Sequence, residues 1–325
     1  MPLGSEVGRT SLSTVECTVV SALSPRVQVT LPVVPEAALR AAREIAGTSG
    51  RRAHTPVRKS FVRSDRESST APMGVLLKTG GRGGGVSIKL MLALLWRCSS
   101  TPHSTQVSAR QWASLLGLAD PARLGARRVA DALGALEGRG LITVTRRRGE
   151  PSLVQLREES GSGDEYRIPS TAYTKAVAED KQRHLYFKVP TPLWTNGHIQ
   201  AMSTPALAML LIILAEQGGD AKEVWWSTEV FPARYSISPA TRAKGTRELV
   251  ERGLLVLTKR LVSDSTAARS SFASERVRNV YRLTGDALLP PASPSGSPRA
   301  LRRGGLATTQ GIRVGAVALP RRRRR

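Results

Sequence analysis

Arg139-Gly140-Leu141-Ile142-Thr143-Val144-Thr145-Arg146-Arg147 returns, 113 residues later, as Arg252-Gly253-Leu254-Leu255-Val256-Leu257-Thr258-Lys259-Arg260. Five of the nine positions are identical, and the other four are conservative or β-favouring exchanges. A shorter match, Tyr166-Arg167-Ile168 against Tyr281-Arg282-Leu283, lies at an offset of 115. Two matches at nearly one offset point to a duplicated unit. In each copy the glycine reads as a helix stop, because it takes the left-handed position after a helix at no steric cost. The apolar residues that follow read as a strand, the basic residues as a hairpin tip, and the Tyr-Arg-Ile or Tyr-Arg-Leu segment as the returning strand.

Upstream of each stretch the same order repeats. An apolar segment opens each unit, over 86–98 in the first and 204–217 in the second, where Thr204 reads as a cap and Pro205 as the first helical residue. A shorter helix follows over 109–116 or 228–235, then a turn at Gly117-Leu118-Ala119 or Ser236-Ile237. The third helix opens at Asp120-Pro121-Ala122 or Ser238-Pro239-Ala240, each a capping residue followed by proline. Helix, helix, turn, helix, hairpin is the winged-helix order. The expected fold is therefore mainly α with small β-hairpins (α+β), built as two tandem winged-helix domains over 86–169 and 187–286. A linker over 170–186, open to helix formation, joins them.

The flanks read differently. Residues 1–85 are rich in Pro, Ser, Thr, Gly and Arg, and their apolar periodicity is short, so most of that region is expected to be disordered. Only 27–34 offers a strand and 35–46 a short helix. Gly80-Gly81-Arg82-Gly83-Gly84-Gly85 reads as a flexible hinge; it lacks the Lys-Ser/Thr ending of a phosphate-binding loop. Residues 287–325 carry nine basic and no acidic side chains, several prolines and the run Arg321 to Arg325, and read as a disordered basic tail.

The net charge of +24 points to polyanionic partners. The tail contributes +9 of it and residues 86–286 another +9, so the position of the charges matters more than their sum. In the first unit Val129, Leu133 and Leu136 recur at helical spacing and leave Arg127, Arg128 and Asp131 outside, with Arg123 at the start. In the second unit Ala243, Thr246, Leu249 and Val250 mark an inner face. Arg242, Gly245 and Glu248 then lie opposite, flanked by Thr241, Lys244 and Arg247. Reading a major groove requires such a helix, and an arginine fork can bond guanine at two atoms. On this reading Arg242→Ala should cost about 1–3 kcal/mol on a specific site and far less on random DNA. The hairpins add Arg146, Arg147 and Arg148, then Lys259, Arg260, Arg269, Arg276 and Arg278, as candidates for phosphate contact.

Other chemistry is poorly represented. His54, His103, His184 and His198 pair neither with one another nor with cysteine at metal-ligand spacing, and no nucleophile motif stands out. No catalytic residue, metal or cofactor is expected. Glu158-Glu159 and Asp164-Glu165 read as an acidic loop, Cys98 as a core residue, and most of the five tryptophans as core anchors. The longest apolar run, 206–215, is half a membrane span, and two distant cysteines fit a reducing cytoplasm. The expected location is cytoplasmic, on a nucleoid or plasmid.

Residues 86–286 also resemble the tandem winged-helix replication initiators of plasmids, in particular the replication-initiator-like proteins of actinobacteria. The resemblance rests on Phe187-Lys188-Val189-Pro190, Leu193-Trp194, 207–214, Val224-Trp225-Trp226-Ser227, 238–249 with Thr241-Arg242-Ala243-Lys244-Gly245, Gly253-Leu254-Leu255, and Arg278-Asn279-Val280-Tyr281-Arg282-Leu283. It implies binding to repeated origin sites on double-stranded DNA, recruitment of host replication proteins, and repression of the protein's own promoter as a homodimer. A winged-helix transcriptional regulator is the alternative. A protein-interaction winged helix whose basic tail binds polyanions indiscriminately is a second one.

Overall fold

Part of the segment expected to be mostly disordered is folded. The computed structural model describes residues 32–64, 70–78, 83–218, 222–262 and 276–289. Within them α1 (Glu36–Thr48), β1 (His54–Arg58), a 3-10 turn (Lys59–Phe61) and α2 (Pro72–Lys78) precede the first repeat. That repeat runs α3 (Gly83–Arg97), β2 (Ser104–Gln106), α4 (Ala109–Leu115), α5 (Leu124–Glu137), β3 (Ile142–Thr145) and β4 (Leu153–Leu156). A connector follows: α6 (Pro169–Lys175), a 3-10 turn (Lys181–His184), β5 (Tyr186–Pro190), α7 (Pro192–Thr195) and α8 (His198–Ala201). The second repeat is α9 (Thr204–Gln217), α10 (Val230–Tyr235), α11 (Pro239–Glu251), β6 (Leu255–Val262) and β7 (Arg276–Leu283). The result is an α+β fold with small antiparallel sheets, ordered β2-β4-β3, β6-β7 and β1-β5.

Local chemistry explains most of the boundaries. Ser108 and Gln111 close a reciprocal capping box at α4. Ser238 caps α11 by accepting the Thr241 amide, whereas α9 is capped by Ser203, one residue before the expected Thr204. Gly140 and Gly253 have φ of 65° and 68°. Behind them the Leu141 and Leu254 amides reach back to the Leu136 and Leu249 carbonyls at 3.1 and 3.0 Å, the paired closure of a Schellman turn. At the start of α5 the expectation is corrected. Asp120 adopts φ 45°, and the helix begins at Leu124, after Pro121 rather than on it.

The second sequence match is also corrected. Val144 pairs with Val154 and Leu257 with Tyr281, so the counterpart of Tyr281 is Val154 and not Tyr166. Alternating burial of Val154 and Leu156 fixes β4 as the returning strand. The chain then loops through 158–164, and the buried Tyr166 hydroxyl accepts Arg51 Nη2 at 2.9 Å.

Two helices that are apolar on every side centre the fold. α3 buries 90–96 and α9 buries 206–215 without interruption. Their cores are continuous with each other, and both repeats fall in one unit whose boundary comes after residue 290. The two repeats therefore share one core.

The expectation that most of residues 1–85 are disordered does not hold for 32–64 and 70–78, although α1 lies where a short helix was expected. Phe61, Val62, Met73 and Leu76 are fully or almost fully buried, and so are Arg51, bonded to the Tyr166 hydroxyl, and Arg58, paired with Glu159. Gly83, Gly84 and Gly85 form the first turn of α3 rather than a hinge. A Cβ on Gly84 would sit 3.3 Å from the Leu76 carbonyl carbon, and one on Gly85 3.3 Å from Thr204 Cβ. The oxygens of those groups are nearer still, so glycine is there for close packing. At the far end Ala287 is buried, which carries the ordered chain past 286. Residues 1–31, 79–82 and 290–325, with Cys17 and Arg321 to Arg325, lie outside the described residues.

Candidate nucleic-acid interface

α5 is held by its apolar face. Val129, Ala132, Leu133 and Leu136 are buried, and Arg123, Arg127, Arg128 and Asp131 are exposed on the other side. Arg123 stands at the N-cap position without a side-chain capping bond, so it flanks the first turn rather than lying on it. Beside it Leu124 is 64% exposed, an apolar side chain in the first turn that the periodicity analysis did not single out.

α11 is rotated from its expected orientation. Its buried residues are Gly245, Thr246 and Leu249, and Ala243 is exposed. A Cβ at Gly245 would lie 2.7 Å from the Pro205 carbonyl carbon and 2.8 Å from Met209 Cγ, so the glycine marks where α11 presses on α9. Arg242 follows that face inward. Its Nε donates to the Tyr281 hydroxyl at 3.1 Å, and its guanidinium lies 4.3 Å from the Phe231 ring centroid, with Tyr281 and Trp226 also in range. Arg242 therefore latches α11 to β7, and its assignment as a base-reading residue is corrected. Glu248 is also taken, by the Ser203 amide at 3.0 Å and by Arg252 at 2.9 Å. Lys244 and Arg247 remain exposed. Thr241 is half-buried, with its hydroxyl on Ser238 at 2.9 Å. Removing Arg242 should lower stability by about 1–3 kcal/mol through lost ring contacts and the tyrosine bond. Thermal unfolding of Arg242→Ala measures this, while the ratio of specific to random DNA affinity should stay unchanged.

The hairpins bring their cations to the surface in different company. Arg146 pairs with Glu137 at 2.9 Å, Arg147 with Glu150 at 3.9 Å, and Arg260 with Glu223 at 2.8 Å, all three arginines about 60% exposed. The Arg146 bond, helped by the Val144 amide, holds the Glu137 carboxyl below the usual range. Exposed pairs of this kind are worth about 0–1 kcal/mol, so a phosphate can displace the carboxylate at little cost. Arg148 and Lys259 are exposed. Arg260 stands directly across from Arg278 in the β6–β7 register, and each guanidinium has its own partner, Glu223 for Arg260 and the Trp225 ring for Arg278. Arg278 lies over the half-exposed Trp225 ring at 4.0 Å, a contact that the sequence did not signal. Arg276 pairs with Val262 through the backbone, and its side chain, like Arg269, lies outside the described residues.

The expected acidic loop is solvated only in its second half, where Asp164 and Glu165 are exposed. Glu158 and Glu159 are fully buried, Glu159 against Arg58 and Glu158 against Arg183 at 3.1 Å, because the N-terminal segment and the connector supply cations to both. Among the described residues no group of three or more His, Cys, Asp or Glu side chains could hold a metal, and no helix is long and apolar enough to cross a membrane. Burial pushes the Cys98 thiol up to about 12. Trp96, Trp112 and Trp194 are core residues.

No family model, curated protein or solved structure matches the chain.

Proposed function

We propose that each repeat is a winged-helix unit and that the chain binds double-stranded DNA, with α5 and α11 entering major groove and the two hairpins lying against the flanking backbone. The observation that carries this reading is common to both repeats. The helix before the hairpin buries one face on its central helix and exposes Arg127 and Arg128, or Lys244 and Arg247, on the other. A groove reader needs that division of faces. Leu124 offers an apolar contact of the kind a thymine methyl accepts. The reading is of a binding protein and not of a catalyst.

For its biological role we propose replication initiation at repeated origin sites, on the resemblance of 86–286 to plasmid initiators. Genome-wide footprinting of the tagged protein tests both levels. A few sharp sites beside iterated repeats support an initiator, and sharp sites at promoters would replace that role with transcriptional regulation. In vitro, Arg127→Ala, Lys244→Ala, Arg247→Ala should weaken specific binding roughly tenfold or more and flatten the salt dependence, with each lost phosphate contact worth about one unit of slope. Its unfolding temperature should not change, because all three side chains are exposed. Undiminished affinity in a folded triple variant would mean that the basic tails, and not these helices, hold the DNA.

A further inference from the structure

The bonds that tie the two repeats together converge on the short stretch before α9. Lys89 of α3 donates to the Gln200 carbonyl at 2.8 Å, and Arg252, at the end of α11, donates to the Ala201 carbonyl at 2.8 Å. Two residues on, the Ser203 amide donates to Glu248 of α11. The short stretch 200–203 thus receives α3 from one side and α11 from the other. Trp96 of the first repeat stacks on Trp194 of α7 in the connector, with ring centroids 5.6 Å apart and planes 17° from parallel.

The N-terminal segment fastens the same junction from outside. β1 pairs antiparallel with β5, from His54 opposite Pro190 to Arg58 opposite Tyr186. The Arg51 guanidinium bonds the Leu95 carbonyl of α3 and the Tyr166 hydroxyl, while its own carbonyl accepts the Thr191 hydroxyl from the connector that leads into the second repeat. Arg58 is buried on Glu159 of the first repeat, and Arg63 pairs with Glu216 of α9 at 3.2 Å. At Gly74 of α2 a Cβ would be 3.1 Å from the Tyr235 carbonyl, next to the turn into α11. One segment therefore holds both repeats by buried charge, strand pairing and close backbone packing.

We infer that residues 36–64 and 70–78 form a strap that fixes the separation and rotation of α5 and α11, so that the protein recognises one undivided DNA site whose two contacts keep a set spacing. The inference rests on the DNA-binding reading above. To let the helices move apart, the chain would have to expose the Arg58–Glu159 pair and unstack Trp96 from Trp194. Parting a buried ion pair or a core aromatic pair costs about as much as a second DNA contact could return. Two modules on a flexible linker behave differently. They tolerate an added full turn of DNA, which restores phase and only dilutes the second contact.

The test uses the full chain on its footprinted site, with 5 or 10 base pairs inserted between the two protected halves. Both insertions should weaken binding roughly 100-fold, because a fixed frame cannot reach a displaced half even when it is in phase. Full-turn insertion DNA bound within about threefold of the parent site would overturn the strap, as would protection of a single groove. A second measurement separates failure of the strap from failure of the DNA reading. Spin labels at Gly134→Cys on α5 and Glu251→Cys on α11, with Cys17→Ser and the buried Cys98 left unlabelled, report the distance between the helices without DNA. One narrow distance supports the strap even if no preferred site is found, in which case the DNA reading alone fails. A broad or two-peaked distribution overturns the strap whatever the DNA result.

Discussion

Arg58→Met should lose about 3–5 kcal/mol of folding stability, the range for a buried charge deprived of its partner. Arg58 and Glu159 are both fully buried, and Arg58 also donates to the Arg167 carbonyl at 2.7 Å. Methionine fills much of the same volume, so the loss is electrostatic and not a cavity. Glu159 is left in a site whose burial already pushes its carboxyl upward. In the variant that carboxyl keeps its proton in the folded state to a higher pH than in the unfolded chain. The group then binds more protons when folded, so the penalty is small below the unfolded value of about 4.3 and grows as pH rises above it. Arg58→Met, Glu159→Met should regain most of the stability at neutral pH, since an apolar pair needs no compensation. Urea unfolding of the three proteins at pH 4 and pH 7 measures each term. A single variant as stable as the parent at pH 7 would show that the pair does not hold the segment to the first repeat.

That pair also shows why the N-terminal segment was the least legible part of the chain. Its anchors are arginines, which composition counts as solvated charge, and the carboxylates that receive Arg58 and Arg63 are 101 and 153 residues away in sequence. Its apolar anchors, Val57, Phe61, Met73 and Leu76, come from short elements with no sustained period. Each buries against helices that the segment does not itself contain. Glycines misled in the same direction. A run of them reads as freedom, while Gly84 and Gly85 are small because Leu76 and Thr204 lie against them. By contrast, the repeat boundaries were readable because caps and stops are local chemistry. Ser238-Pro239 begins a helix and Gly253-Leu254 ends one by bonds within a few residues. On the exposed face of α5 the arginines also stood where periodicity put them. α11 was misjudged because Gly245 has no side chain to register as inward-facing, and Arg242 counts as polar although aromatic rings surround it.

The same glycine gives the last and sharpest expectation, since intrinsic helix preference and packing oppose each other there. Replacing a mid-helix glycine by alanine favours the helix by about 0.8–1.0 kcal/mol. Gly134 in α5 has nothing within 4 Å of a built Cβ, so Gly134→Ala should be stabilising by about that amount. Gly245→Ala should instead lose about 3 kcal/mol, at the upper end of overpacking costs, because its closest neighbour is the Pro205 backbone carbonyl and not a side chain that can rotate away. α11 would have to lift from α9, and Glu248 would then pull from the Ser203 amide and Arg252 from the Ala201 carbonyl. The register of the repeats sharpens the contrast. The offset of 113 places Ala132 of α5, itself buried, opposite Gly245 of α11, so the first repeat already accommodates the methyl group that the second excludes. If α11 were oriented as its polar pattern suggests, position 245 would face solvent and both alanine variants would gain stability. Calorimetric unfolding of the two single variants decides the orientation. Shifts of opposite sign fix α11 against α9 and leave Lys244 and Arg247 facing outward; gains in both would return Arg242 to the exposed face and remove Lys244 and Arg247 as the leading contacts of the second repeat.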